Sequence, residues 1–404
     1  MKIFRWLRPD FLWVTFFLFG IVGLIGLVSF NLTFFDPIEK ALTDFNFSDL
    51  LYSKLSSKQE LLDTNIVLVN IGHLDRAQIA EEIRQIRKNK PKVIGFDGFF
   101  SARRDPGGDS VLHALLTESP TVVMACYLTG KNAEEAIYDS LETSDPYFNS
   151  GKKAFVNLGG ANPQSSTVRT FSPSQEFKGK TYYSMSAELV RQYDSTAFKR
   201  LIRRGNDREI INYIGNRLAF ISLDTWEVFD TTTDLSILQD KIVLMGYMGD
   251  SFQHAKDLED IYYTPMNTEL AGRSHPDMYG VVIHANAASM VLSGNFINEM
   301  PYWLHVVLSF IVCYFYVLFF TWFNSRHPSL FDLLFPAIIL AINVLLVYLF
   351  FIIYKSLNYS IHATYFLVPI LLYKTFLTWY ERFISILAKR FRVPSVFFPP
   401  KAKS

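Results

Sequence analysis

Apolar and polar positions fall into blocks along this chain, and the longest apolar blocks lie near its two ends. "FLWVTFFLFGIVGLIGLVSF", residues 11–30, carries no charged residue. A helix of that length rises about 30 Å, enough to cross a hydrocarbon core. Lys2, Arg5 and Arg8 precede it, which keeps residues 1–10 in the cytoplasm. No small-residue cleavage signal stands before "NLTFFDP", so the block reads as an uncleaved anchor. Three more apolar blocks, 303–323, 330–354 and 361–380, are joined by the short polar turns "NSRHPS" and "KSLNYS". Four spans place residues 31–302 outside the cell membrane and the tail 381–404 inside. Arg382, Lys389, Arg390, Arg392, Lys401 and Lys403 in that tail favour the same orientation. Trp6, Trp13, Tyr302, Trp303, Trp379 and Tyr380 fall near span ends, where interfacial aromatics belong.

Between the first and second spans the pattern changes to short alternating units. "NIVLVNIG" (65–72) is a β-branched apolar run of strand length, and "RAQIAEEIRQIRKN" (76–89) repeats Ile79, Ile83 and Ile86 at helical spacing. "KVIGFDGFF" (92–100) predicts a second strand, "SVLHALLTES" (110–119) a helix capped by Asp109, and "PTVVMACYL" (120–128) a third strand. Strand–helix–strand alternation implies parallel pairing with right-handed crossovers. "YYSMSAELVRQYD" (182–194) predicts a helix, "DKIVLMGYMGD" (240–250) a buried strand ending in a glycine turn, and "YGVVIHANAASMVLSGNFI" (279–297) a last helix. "DLEDIYYTPM" before it reads as a loop. The expected fold class is α/β: a mixed, largely parallel sheet in an extracytoplasmic domain, carried on a four-helix transmembrane part.

In order and spacing, "NIVLVNIG", "KPKVIGFDGFF", "AFVNLGG", "TVRTF", "INYIG", "DKIVLMG", "YYTP" and "YGVVIHANAASMVLSGNFI" resemble the CHASE2 family of extracytoplasmic sensory domains. The resemblance covers roughly residues 37–300, and the layout of one span followed by three extends it. It implies a sensory domain outside a bacterial inner membrane, in the periplasm or beyond. Family members often continue into a kinase or nucleotide cyclase, whereas only about 24 residues follow the last span here. The expectation is therefore a sensor that hands its signal to a separate partner protein. A structural or docking component of an envelope complex is the alternative. Self-association as a homo-oligomer stays open. Where the family usually ends its first strand in an Ile-Asp-Asp-like turn, this chain has "NIGHLDR", with Gly72 and His73 in place of the acids.

Composition narrows the chemistry. Half of the residues are hydrophobic and the net charge is +1, which gives no electrostatic basis for binding nucleic acid. Charge is too scarce inside the spans for a transport pathway; Lys374 is expected to snorkel and Asn343 to hydrogen-bond to a neighbouring helix. Cys126 follows an apolar run and reads as a buried core thiol. "ARRDPGGDS" lacks the phosphate-loop pattern, "NLGGAN" has no helix after it, and no G-x-S-x-G elbow exists. No enzyme activity, cofactor or metal is assigned. The candidate ligand-binding or signal-transmitting residues are His73, Asp97 and Asp250, which end strands at the carboxyl edge of a parallel sheet. His284 and Asn286 join them because they match the family's G-V-x-x-H-A-N helix start. His284 also has a structural reading, in which its ring nitrogens bond loop backbone and anchor the helix.

Overall fold

The computed structural model describes residues 9–29, 62–118, 122–130, 138–148, 151–158, 167–252, 260–267 and 275–391. Lys2, Arg5 and Arg8, the loop residues 159–166, and Arg392, Lys401 and Lys403 lie outside them. The helices are α1 (Pro9–Ser29), α2 (Arg76–Lys88), α3 (Pro106–Glu118), α4 (Met185–Tyr193), α5 (Ser195–Arg204), α6 (Thr225–Phe229), α7 (Gly280–Ser293), α8 (Tyr302–Arg326), α9 (Pro328–Leu357), α10 (Thr364–Leu371) and α11 (Tyr373–Phe391). The strands of the main sheet are β1 (Asp63–Asn70), β2 (Val93–Asp97), β3 (Val122–Thr129), β4 (Ser140–Thr143), β5 (Lys152–Phe155), β6 (Phe220–Leu223) and β7 (Ile242–Gly246). Two compact units emerge, one of residues 44–297 and one of residues 1–43 with 298–404.

The first unit is an α/β domain. Its sheet runs β6-β1-β7-β2-β3-β4, with β5 also paired to β3. Every pairing is parallel except β3 with β4, so the sheet is mixed but dominated by parallel strands. The central strands are apolar almost throughout because helices cover both faces. On one face Val67, Val69, Ile94 and Phe96 pack with Ile79, Ile83 and Ile86 of α2 and Leu112 of α3. On the other, α4 lies so close to β2 that a Cβ at Gly95 would sit 3.0 Å from the Leu189 side chain. Glycine at mid-strand is what lets that helix approach.

Local chemistry sets the helix ends. Asp75 and Gln78 form a capping box at the start of α2. The expected cap of α3 is corrected: Asp105 accepts hydrogen bonds from Gly107 and Gly108, and the helix starts at Pro106. Asp109 instead lies in the first turn, paired with Arg76 and accepting from the Arg104 N–H. Helix α5 has no counterpart among the expected elements. Ala197, Phe198, Leu201 and Ile202 recur at helical spacing among Lys199, Arg200, Arg203 and Arg204, and Ala197 and Leu201 are the ones buried. Asp194 nonetheless caps it through Thr196 and Ala197, and Gly205 ends it at φ 68°. Cys126 is buried in the sheet, as the apolar run implied.

Among the described residues the second unit is helical apart from a short strap. Helices α8 and α9, of 25 and 30 residues, are long and apolar enough to cross a membrane. Val14 and Leu18 of α1 join Val317 and Phe320 of α8, Phe335 and Ile339 of α9, and Tyr373 and Phe376 of α11 in one core. The expected span 361–380 is two helices, α10 and α11, with Pro369 just before the break. Lys374 does not simply snorkel: its Nζ lies 3.0 Å from Asp332 Oδ1 on α9. Asn343 donates to the Ile339 carbonyl of its own helix rather than to a neighbour. At the start of α8, residues 298–299 pair with 359–360, and His305 Nε2 accepts from the His362 N–H at 3.0 Å.

Candidate functional site

In the α/β domain the parallel strands β1, β7 and β2 end side by side at Asn70, Gly246 and Asp97. Asn70 is consumed by structure: its amide donates to Asp224 Oδ1 and the Gly249 carbonyl, while its Oδ1 accepts from Gly72 and Met248. Asp97 is different. Among the described residues it has no such backbone partners, and beside it begins α7. A Cβ at Gly246 would lie 2.7 Å from Val281 Cβ, so the missing side chain is what lets the first turn of α7 sit against the strand end.

That first turn brings a second carboxylate. Asp260, at φ 55°, accepts the Gly280 N–H through its own carbonyl at 3.0 Å. A Cβ at Gly280 would stand 3.0 Å from Asp260 Oδ2, so glycine is needed here for close approach. Residues 261–262 pair antiparallel with 278–279, which fixes Tyr262 next to the start of α7, and the Tyr262 hydroxyl donates to the Asp260 carboxylate. One turn along α7, His284 is 3 % exposed. Its Nε2 lies 3.9 Å from Asp97 Oδ2, with no hydrogen-bond partner among the described residues. The other ring nitrogen bonds to the Val156 backbone.

The electrostatics follow from burial. Desolvation, reinforced by the nearby Asp260, holds Asp97 well above the usual carboxylate range. Asp260 is pushed up to about 6 by burial, against the Tyr262 hydrogen bond that pulls it down. Burial lowers His284 to about 4, against the upward pull of its bond to Val156. At neutral pH the imidazole is therefore neutral, with a lone pair on Nε2 facing Asp97.

The sequence-derived candidates thus separate into three places. His73 and Asp250 pair with each other, Nε2 to Oδ1 at 2.8 Å, at an exposed rim where both side chains are more than half accessible. Asp97 and His284 meet in the buried cluster. His73 and Asp97 follow strands that end at the same carboxyl edge, and His73 there pairs with Asp250. Asn286, wholly buried, belongs to neither: its Oδ1 accepts from Ile214 and Gly215, and its Nδ2 donates to the Gly215 and Val282 carbonyls. It stitches the "INYIG" segment to α7. Asp260 and Tyr262 were not recognisable from sequence, because an acid in the loop "DLEDIYY" has no periodicity to mark its direction. The one available signal was its adjacency to the "YYTP" turn.

Stability tied to protonated Asp97 and Asp260 is full below their unfolded value of 3.8 and is lost as pH rises, through about 6 for Asp260. That from His284 has the opposite sign, present above 6.5 and lost as pH falls through about 4. Asp97→Asn is therefore expected to raise the thermal unfolding midpoint of the detergent-solubilised protein at pH 7.5, with a smaller gain at pH 4. Equal midpoints at pH 7.5 would contradict a buried, proton-holding Asp97.

A family model described as the CHASE2 domain matches residues 16–323, more than half of the chain. No curated protein and no solved structure matches.

Proposed function

The chain belongs to the CHASE2 domain family, a family of sensory domains, and from that premise we propose that it is a membrane-anchored sensor or sensory subunit. It lies in a bacterial inner membrane with four spans and both termini cytoplasmic. The α/β domain faces outward, detects a signal at the Asp97–Asp260–His284 cluster, and passes it through the C-terminal helices to a partner protein holding the enzymatic output.

One observation carries this reading: α7 has the cluster at its first turns and a clasped exit at its other end. Arg200 donates to the Val291 and Leu292 carbonyls at 3.0 and 2.8 Å, next to the left-handed Gly294 that ends the helix. Asn212 donates to the Asn295 carbonyl, and Arg204, itself held by Glu209, reaches the Ile297 carbonyl. These bonds tie the chain as far as residue 297 to α7 and its neighbours, which supports a reading in which α7 moves the end of the domain with it. Signal transfer then needs only that a ligand favour one position of α7 over another.

The alternative, a docking component of an envelope complex, is supported by Leu218, Trp226 and Phe229, which are exposed large apolar side chains. Co-purification of the tagged full-length protein from its native membrane separates the two readings. A kinase, cyclase or other signalling enzyme in stoichiometric yield supports the sensor. Recovery of envelope-assembly proteins alone would replace it with the docking role.

A further inference from the structure

The buried cluster has a chemical bias that narrows what it binds. Three groups converge there as acceptors: the Asp97 carboxylate, the Asp260 carboxylate and the Nε2 lone pair of His284. His284 cannot supply a proton toward Asp97 while its protonated nitrogen is engaged by the Val156 backbone. The Tyr262 hydroxyl offers one hydrogen, and Asp260 takes it. Among the described residues, none of the charges that shift Asp97 or Asp260 is a cation. A protonated Asp97 offers a second hydrogen, but among the described residues the acceptors still outnumber the donors and His284 Nε2 meets none of them.

Geometry says what fills the gap. A donor atom about 2.8 Å from both His284 Nε2 and Asp97 Oδ2 would see them at about 90°, given their 3.9 Å separation. A tetrahedral nitrogen bearing several hydrogens can meet both with modest bending, and the Asp260 charge that acts on Asp97 adds to the attraction. The entrance lies on the carboxylate side, since Asp97, Asp260 and Tyr262 are partly exposed whereas His284 is at the floor. Gly280 lets Asp260 and Tyr262 close on the helix start, with the Tyr262 ring edge 3.2 Å from where its Cβ would be. Among the described residues, no three His, Cys, Asp or Glu side chains are placed to hold a metal ion together.

We propose that the Asp97–Asp260–His284 cluster binds the protonated primary amine of a small extracytoplasmic molecule. The assignment rests on the sensory reading above and specifies its ligand class. The ammonium group hydrogen-bonds His284 Nε2 and the two carboxylates, while the remainder of the ligand extends toward solvent. Protons on the carboxylates compete with the amine, so binding expels them and weakens by up to about tenfold per unit of acidification for each proton expelled.

The test uses the full-length protein in detergent, with propylammonium as probe and thermal unfolding and titration calorimetry as readouts. Propylammonium at pH 7.5 is expected to raise the unfolding midpoint, whereas tetramethylammonium, which has charge but no N–H, and neutral 1-propanol are not. Calorimetry in two buffers of different ionisation enthalpy should show proton release on binding. Asp97→Asn and Asp260→Asn, tested separately, should each weaken propylammonium binding on the order of 30-fold or more. Asp97→Asn is expected to fold more stably than wild type, so lost binding cannot be ascribed to unfolding.

The proposal falls if propylammonium has no effect, if tetramethylammonium works equally well, or if both Asn variants bind as wild type. It also falls if zinc or manganese, and not the amine, acts through these residues. A signalling partner recovered without amine binding would remove the ligand class and leave the sensor. Amine binding without such a partner would do the reverse.

Discussion

Replacing Glu82 by Gln is expected to stabilise the protein strongly at pH 8 and above. Glu82 lies on the sheet-facing side of α2 with the buried residues Ile79, Ile83 and Ile86. It is 0 % exposed, and neither carboxylate oxygen has a hydrogen-bond partner among the described residues. Burial alone pushes it up from 4.5 to about 8. The fold therefore retains a proton that the unfolded chain releases. Stability linked to that proton is full below pH 4.5 and is lost as pH rises through about 8. A displacement of that size corresponds to a loss on the order of 5 kcal/mol, a large fraction of the stability of an ordinary domain. Glutamine keeps the shape and cannot ionise, so the variant should lose much less stability than wild type between pH 5 and pH 9. Thermal unfolding across that range checks it, and parallel pH profiles for the two proteins would show that Glu82 finds a partner or water on folding.

Asn286→Ala is expected to be among the most damaging single changes in the α/β domain, costing roughly 3–5 kcal/mol. The amide satisfies two N–H groups, of Ile214 and Gly215, and two carbonyls, of Gly215 and Val282, at a site closed to water. Alanine leaves those loop groups without their donors and acceptors and leaves a void beside α7. Because the lost bonds hold residues 211–215, proteolysis of that segment should accelerate along with the fall in unfolding temperature. Unchanged cleavage and midpoint would mean that Asn286 is dispensable to the fold. The same loss should loosen α7, so amine binding at His284 is expected to weaken without any change to the cluster itself.

Much of the architecture was legible along the chain. The β-branched runs at 65–72, 92–100 and 240–250 announce strands covered on both faces, and the period of Ile79, Ile83 and Ile86 announces the helix between the first two. Parallel pairing followed from that alternation, and β1, β2, β3 and β7 are parallel neighbours. The short antiparallel β4 was not legible, since a four-residue strand leaves almost no periodic signal, whereas the spacing of Ala197, Phe198, Leu201 and Ile202 does mark α5.

The site was legible only in pieces. Asp97 stood out because a carboxylate ending a buried strand lies at a sheet edge by construction, and His284 because an imidazole in an apolar helix needs a reason. That these two face each other, and that His73 turns away to Asp250, depends on residues 156, 246, 260 and 280, which are distant in sequence and contribute backbone or absent side chains. The sequence by itself determined the apolar blocks, the family and the parallel core, because those depend on hydrophobic period and composition. Only the tertiary structure decided which acids share a field and which nitrogen lacks a proton. Those properties arise from burial and from distances between segments, and neither is written in local order.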